Sequence, residues 1–206
     1  MPWPFDEWGR ITRFLESGRR AFAREYELWS TLELGDRDAV KLSVTKPTGV
    51  YTVRVQQHLD AVADDQTFHA AVLLQTYALT EAAAADRLGV DARVFSGIEQ
   101  WGTTLLEHAG AEWTDVKDGL PGAVELAVAR NAFAHGTRTT DARAAKRLND
   151  AGIRGRKTGT PVTLDYEQLV VFRSRLLSLL RAGEVGTPVA RSTRSDALGG
   201  ARVSRP

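Results

Sequence analysis

An arginine and a histidine with four residues between them stand at the end of a strongly helical run, in residues 130–136 (RNAFAHG). Asn131 and His135 are four residues apart and share one helix face, whereas Arg130 is displaced from that face. Gly136 is typical of the position that closes a helix in the left-handed conformation. A fixed cation, an amide and an imidazole that titrates near neutral pH form a set suited to chemistry on a phosphodiester.

A site that uses all three side chains must lie where the last helical turn loosens, or in a groove where the helix of a second subunit brings its own copy close. The ordinary alternative is structural. An arginine near a helix end often pairs with an acid, and a histidine in a last turn often caps free carbonyl groups. The surroundings of the motif favour the chemical interpretation.

The segment resembles the signature of the HEPN superfamily, small helical nucleases and nucleotide-binding proteins whose motif is Arg, four to six residues, then His. A polar residue after the arginine, here Asn131, and the ending Ala134-His135-Gly136 also recur in that family. The resemblance covers seven residues, together with a helix before them, a glycine after them and a basic loop beyond. It implies a helical bundle that dimerises to bring two motifs together and cuts RNA without a metal ion.

The same residues suggest how such a cut would proceed. His135 would remove the proton of a ribose 2′-hydroxyl or donate one to the leaving 5′-oxygen. Arg130 would bind the scissile phosphate and stabilise the charge of the transition state. Asn131 would orient the imidazole or the phosphate. The need for a 2′-hydroxyl predicts RNA as the substrate and a 2′,3′-cyclic phosphate as the product.

Glu81 is the candidate for a supporting acid. It lies in a mostly apolar, alanine-rich stretch, where an unpaired charge is costly. It therefore either faces water or pairs with a cation such as Arg130. Members of the HEPN superfamily often carry an acidic residue on an upstream helix that supports the motif arginine, and the resemblance implies that role for Glu81.

A basic segment follows the motif. Residues 136–157 contain only two acidic side chains and seven cationic ones: Arg138, Arg143, Lys146, Arg147, Arg154, Arg156 and Lys157. Such a segment can hold a phosphate backbone through counterion release, although basic runs are often simply solvated surface. Its position directly after Arg130 and His135 favours RNA binding.

Composition bounds the remaining possibilities. The 206 residues suit one domain with a tail, and we predict a helical domain over 1–182 and a disordered tail over 183–206. The absence of cysteine excludes disulfides and thiolate metal sites. Residues 1–7 lack the order of a secretory signal, and no apolar run is long enough to span a membrane. A cytoplasmic protein with no metal and no cofactor is therefore expected.

Hydrophobic periodicity predicts an all-α fold, an antiparallel bundle of about five helices with a β-hairpin insertion at about 39–56. Ser96 and Glu99 have the spacing of a capping box, and Asp165 is predicted to cap the last helix. The predicted helices run over about Asp6 to Leu34, His58 to Leu88, Ser96 to His108, Asp118 to His135 and Asp165 to Arg181. The stretch from His58 to Leu88 is predicted to be one long helix or two collinear ones.

The functional expectation is a metal-independent endoribonuclease that acts as a homodimer. By analogy with the family it would be a toxin or an antiviral-defence effector, held off by an antitoxin or a defence-system partner protein. Thr137 stands where some family toxins carry a tyrosine that an antitoxin modifies, which argues against that form of inhibition. Two rivals remain: a non-catalytic module that binds RNA or nucleotide or only dimerises, and a motif that serves packing alone.

Overall fold

The structure, a computed structural model, describes residues 4–186 as a helical bundle with one β-hairpin. Five of its helices have twelve or more residues, which agrees with the predicted bundle. They are α1 (Phe5–Ser30), α4 (Asp65–Leu88), α5 (Ile98–Ala109), α6 (Gly119–Ala134) and α8 (Tyr166–Ala182). Three shorter helices lie between them: α2 (Leu34–Ala39), α3 (Val55–Ala63) and α7 (Ala142–Asp150).

Helix α4 is the centre of the bundle, because it packs against α1, α5, α6 and α8. Its alanines 83–85 are all buried, and their small side chains let neighbouring helices approach closely. Trp101 of α5 and Phe172 of α8 are the largest fully buried side chains of the core. The motif helix α6 is thus held by a well-packed interior.

The predicted hairpin is confirmed as strands β1 (Lys41–Lys46) and β2 (Gly49–Arg54), paired antiparallel. Leu42 pairs with Val53 and Val44 with Tyr51, which places four apolar side chains on one face. The hairpin contacts α2 and α3. Val44 and Tyr51 are nevertheless more than half exposed.

One capping prediction holds and one is wrong. The Asp165 carboxylate accepts a hydrogen bond from the Gln168 N–H at 2.7 Å, as expected at the start of α8. Helix α5 instead begins at Ile98 after Gly97, and Ser96 does not cap it. The Ser96 hydroxyl donates to the Gln100 amide oxygen at 3.0 Å, so Glu99 is not held by a capping box.

Helix α8, near the C-terminal end of the described residues, is hydrogen-bonded to α1 at their N-terminal end. The Tyr166 hydroxyl donates to the Glu16 carboxylate at 2.8 Å, which raises the pKa of Tyr166. The Arg173 guanidinium donates to the Thr12 hydroxyl at 2.7 Å, and burial lowers its pKa. These bonds hold α1 against α8.

The same helix also holds the start of α6. On this side the Arg175 Nε donates to the Asp118 carboxylate, and its Nη1 donates to that of Glu125, both at 2.8 Å. Asp118 precedes α6 and Glu125 lies within it. The two bonds therefore attach the motif helix to α8.

The predicted tail begins inside the fold. Val185 is only 6% exposed and belongs to the core, and its N–H bonds the Leu180 carbonyl at 2.9 Å. Glu184 pairs with Arg87 at 3.1 Å. Residues 183–186 are therefore packed rather than disordered, because an apolar side chain follows the glycine that ends α8. The rest of the predicted tail, 187–206, lies outside the described residues.

No helix within residues 4–186 is both long and apolar enough to cross a membrane.

Candidate functional site

The end of α6 is shaped by its glycine, as predicted. Gly136 has φ of 68°, and its N–H bonds the Phe133 carbonyl at 3.1 Å. The Thr137 N–H bonds the Ala132 carbonyl at 3.0 Å, which completes a Schellman motif. His135 is the last residue before the glycine, and its side chain is exposed. The backbone thus presents the imidazole at a fixed point of the surface.

A groove of about 680 Å³ opens at this point. Its floor is α6, one wall is the start of α5, and the other is the segment that leads into α7. Asn131 and His135 both line it, as their four-residue spacing predicts. The start of α5 and the two residues before it, which we did not predict as part of the site, contribute Ser96, Gly97, Glu99 and Gln100.

Two of the seven predicted RNA-binding cations line the groove. Arg143 is exposed there, and among the residues described it has no acidic partner within 4.0 Å. Arg147 is half-buried, and its Nε and Nη2 both donate to Glu99 Oε1, the Nε at 3.2 Å. The groove therefore contains one unpaired arginine and one that an acid already occupies.

The predicted basic loop contains a helix. Asp141 caps α7 by accepting from the Ala144 N–H at 2.6 Å, and Ala145 and Leu148 are buried beneath it. This nine-residue helix arises because one cap and one small apolar face are enough when a core lies below. It fixes the positions of the three cations that it carries, Arg143, Lys146 and Arg147.

The other five predicted cations lie elsewhere. Lys146 pairs with Asp150, Arg156 lies 3.7 Å from the Glu125 carboxylate, and Arg154 and Lys157 are exposed. Arg138 leaves the groove altogether and joins the α3–α4 junction. These five cations do not converge on His135 in the single chain.

At that junction the Arg138 Nη2 donates to the Thr67 hydroxyl at 2.7 Å and lies 3.6 Å from Asp64. The pKa of Asp64 is lowered, chiefly by its hydrogen bond from the Thr67 hydroxyl and in part by Arg138. Because Asp64 caps α4 through the Thr67 N–H, Arg138, two residues after the motif, is bonded to the start of the central helix.

Arg130 lies on the other side of α6 and does not line the groove. Its guanidinium carbon is 5.0 Å from the centre of the Tyr77 ring, within cation–π range. Its Nη1 donates to the Asn131 amide oxygen at 2.9 Å, and its Nε is buried without a hydrogen-bond partner in residues 4–186. Asn131 thus links Arg130 to the groove that contains His135.

Glu81 lies near Arg130 without forming an ion pair. Burial raises the pKa of the Glu81 carboxyl, and the charge of Arg130 partly opposes that rise. Across the described part of the chain, ion pairs within 4.0 Å do not include these two residues. Tyr77 is four residues from Glu81 and shares its helix face. That spacing was the available signal for Tyr77 as a neighbour of Arg130.

Residues 4–186 contain no group of three or more histidine, aspartate or glutamate side chains placed to hold a metal ion. Comparison with known protein families, with curated proteins and with solved structures finds no match for this chain. The site must therefore be interpreted from its own residues.

Proposed function

We propose that the protein is a metal-independent endoribonuclease of HEPN type, which acts in the cytoplasm as a toxin or an antiviral-defence effector. The observation that supports this most directly is the groove at the end of α6. It combines an exposed imidazole, the amide of Asn131 and the guanidinium groups of Arg143 and Arg147. A nucleophilic hydroxyl and a phosphate are the ligands that such a set of groups suits best.

The reaction needs two proton transfers. The imidazole of His135 removes the proton of the ribose 2′-hydroxyl, whose oxygen attacks the adjacent phosphorus. The bond from phosphorus to the 5′-oxygen breaks, and this oxygen receives a proton as it leaves. The products are a 2′,3′-cyclic phosphate and a 5′-hydroxyl, with no cofactor. Arg143 holds the backbone in the groove by its charge.

A homodimer is part of the proposal, because one chain offers only half of this chemistry. In the single chain, His135 faces the groove and Arg130 faces Tyr77. Two α6 helices that meet at these ends would bring the Arg130 of one chain toward the His135 of the other. Two imidazoles would then share the acid and base steps, and the paired arginines would stabilise the transition-state charge.

The test is RNA cleavage in EDTA by the wild type and the variants His135→Ala and Arg130→Ala. A lost general acid–base group should lower the rate by about 10²–10⁴-fold. The matched control is His108→Ala, because His108 is also exposed in a last helical turn, two residues before the left-handed Gly110, but outside the groove. Cleavage by His135→Ala at the wild-type rate, equal cutting of DNA, or complete dependence on added metal would overturn the proposal.

The second candidate is a non-catalytic module that binds RNA or nucleotide, or only dimerises. Two observations favour it. Arg130 lies outside the groove, and the His135 imidazole has no hydrogen-bond partner within residues 4–186 to orient it. This candidate expects RNA to bind equally well to the wild type and His135→Ala, with no cleavage by either. A soluble partner of the protein, an antitoxin or a defence-system protein, would then act by blocking binding.

A further inference from the structure

An acidic side chain occupies the groove at the point where a phosphate would be bound. Glu99 projects from the first turn of α5 and meets Arg147, which projects from α7 across the groove. One carboxylate oxygen, Oε1, accepts from both Nε and Nη2 of the arginine. The side chains are 34% and 29% exposed, so water screens the pair only in part.

The Nε–Nη2 edge is the part of a guanidinium that grips a phosphate with two parallel hydrogen bonds. In the structure this edge is taken. Arg143, the other arginine of the groove, is unpaired within the described residues. The groove therefore contains one arginine that is available to a phosphate and one, Arg147, that is already paired with Glu99. Asp141 also lines the groove, but one of its carboxylate oxygens caps α7 by accepting from the Ala144 N–H.

We propose that Glu99 competes with the RNA backbone for Arg147. Its carboxylate stays hydrogen-bonded to the Arg147 guanidinium until a phosphate displaces it. The inference rests on the proposed function only in taking RNA as the ligand of the groove. When the phosphate binds, Glu99 loses its partner and remains beside a like charge, which opposes binding. Glu99 therefore sets how weakly the resting groove holds RNA.

The variant Glu99→Gln separates this role from a purely structural one. Glutamine keeps an oxygen that accepts from Arg147, so α5 and α7 stay linked, but it removes the charge that competes with phosphate. Affinity for RNA should then rise about tenfold, as expected when a charged competitor worth about 1.4 kcal/mol is removed.

The measurement is fluorescence anisotropy with the full chain in EDTA, between about 50 and 200 mM salt, where phosphate contacts are visible. The probe is a short labelled single-stranded RNA with 2′-O-methyl riboses, which cannot be cleaved by attack of a 2′-hydroxyl. The matched control is Asp150→Asn, because it removes the same charge from an exposed ion pair of the same helix, Lys146 with Asp150, outside the groove.

Glu99→Gln should bind the probe about tenfold more tightly, whereas Asp150→Asn should change affinity less than about twofold, the range of an exposed pair. In an Arg147→Ala background the gain should vanish. A gain no larger than that of Asp150→Asn, or one that persists without Arg147, would overturn the proposal. Thermal melting accompanies each variant. If Glu99→Gln fails to fold, Glu99→Asp, which keeps the charge but shortens the reach, should give a smaller gain.

Cleavage of unmodified RNA distinguishes the two proposals. If the wild type never cleaves while Glu99→Gln still tightens binding through Arg147, the competitor is upheld and the nuclease is refuted. If cleavage depends on His135 while Glu99→Gln binds as the wild type does, the nuclease is upheld and the competitor is refuted. Failure of the nuclease proposal and failure of the Glu99 proposal therefore give different experimental results.

Discussion

Replacing Arg175 by alanine should loosen the helix that carries His135. In the structure, the Arg175 side chain is only 13% exposed and attaches α8 to two acids of the α6 region. Its Nη1 bonds the Glu125 carboxylate at 2.8 Å and the Gly122 carbonyl at 3.3 Å, and its Nε bonds Asp118 at 2.8 Å. Alanine removes all three bonds and the packing of the aliphatic stem.

The expected loss of unfolding free energy follows from the exposure of each acid that Arg175 binds. Glu125 is 23% exposed, so its bond should contribute about 2 kcal/mol, within the range for hydrogen bonds to charged groups. Asp118 is 46% exposed, and its bond should contribute at most about 1 kcal/mol, as surface ion pairs do. The free energy of unfolding should fall by about 3 kcal/mol in total, which lowers Tm by about 6–12 °C in a domain of this size.

The assay is urea unfolding of wild type, Arg175→Ala, Glu125→Gln and the double variant. The coupling energy between the two sites should be about 1.5–2 kcal/mol. The control is Arg10→Ala, because the Arg10 side chain is 68% exposed and its pair with Glu7 should contribute no more than about 0.5 kcal/mol. A loss below about 1 kcal/mol for Arg175→Ala, or a coupling energy near zero, would refute this account of how α6 is held.

Three other outcomes follow from the structure. Gly102→Ala should cost about 1–3 kcal/mol of stability in urea, because the new methyl carbon would lie 2.7 Å from the Trp113 ring; an unchanged midpoint would contradict that contact. Asp165→Ala should cost about 1 kcal/mol and Asp165→Asn less, because only alanine removes the cap of α8. Since burial raises the pKa of Glu81, its protonated form stabilises the fold at low pH, and this contribution is lost as the pH rises through the folded pKa. Glu81→Gln should therefore be more stable than wild type near pH 7, with the difference disappearing below its ordinary pKa of 4.5; equal stability at all pH values would contradict the shift.

Local signals in the sequence predicted the parts of the site that are built locally. The glycine after His135 predicted where α6 ends, and the four-residue spacing predicted that Asn131 and His135 share a surface. Both depend only on the geometry of one helix. Asp165 was correctly assigned as a cap for the same reason, because its partner is three residues away.

Pairs that the tertiary fold brings together were not predictable. Glu99 and Arg147 are 48 residues apart, and the local spacing with Ser96 suggested a cap that the structure does not contain. The contact between Tyr77 and Arg130 was not predicted either, because Tyr77 follows the pattern of a core residue of α4; its ring does lie in the core, yet it also faces Arg130. The basic segment was predicted as a loop because charge obscured the small apolar face of Ala145 and Leu148.

The attachment of α6 to α8 also bears on the order in which the fold is completed during synthesis. The chain emerges from its N-terminus, so α1 and α4 can pack early, but Tyr166 reaches Glu16 only across 150 residues of sequence. Until α8 has been made, Glu125 and Asp118 have no Arg175 to bind, and α6 packs only against elements such as α4 and α5. Helix α8 does not line the groove around His135, but the helix that carries His135 gains its two bonds to Arg175 only after α8 has been made.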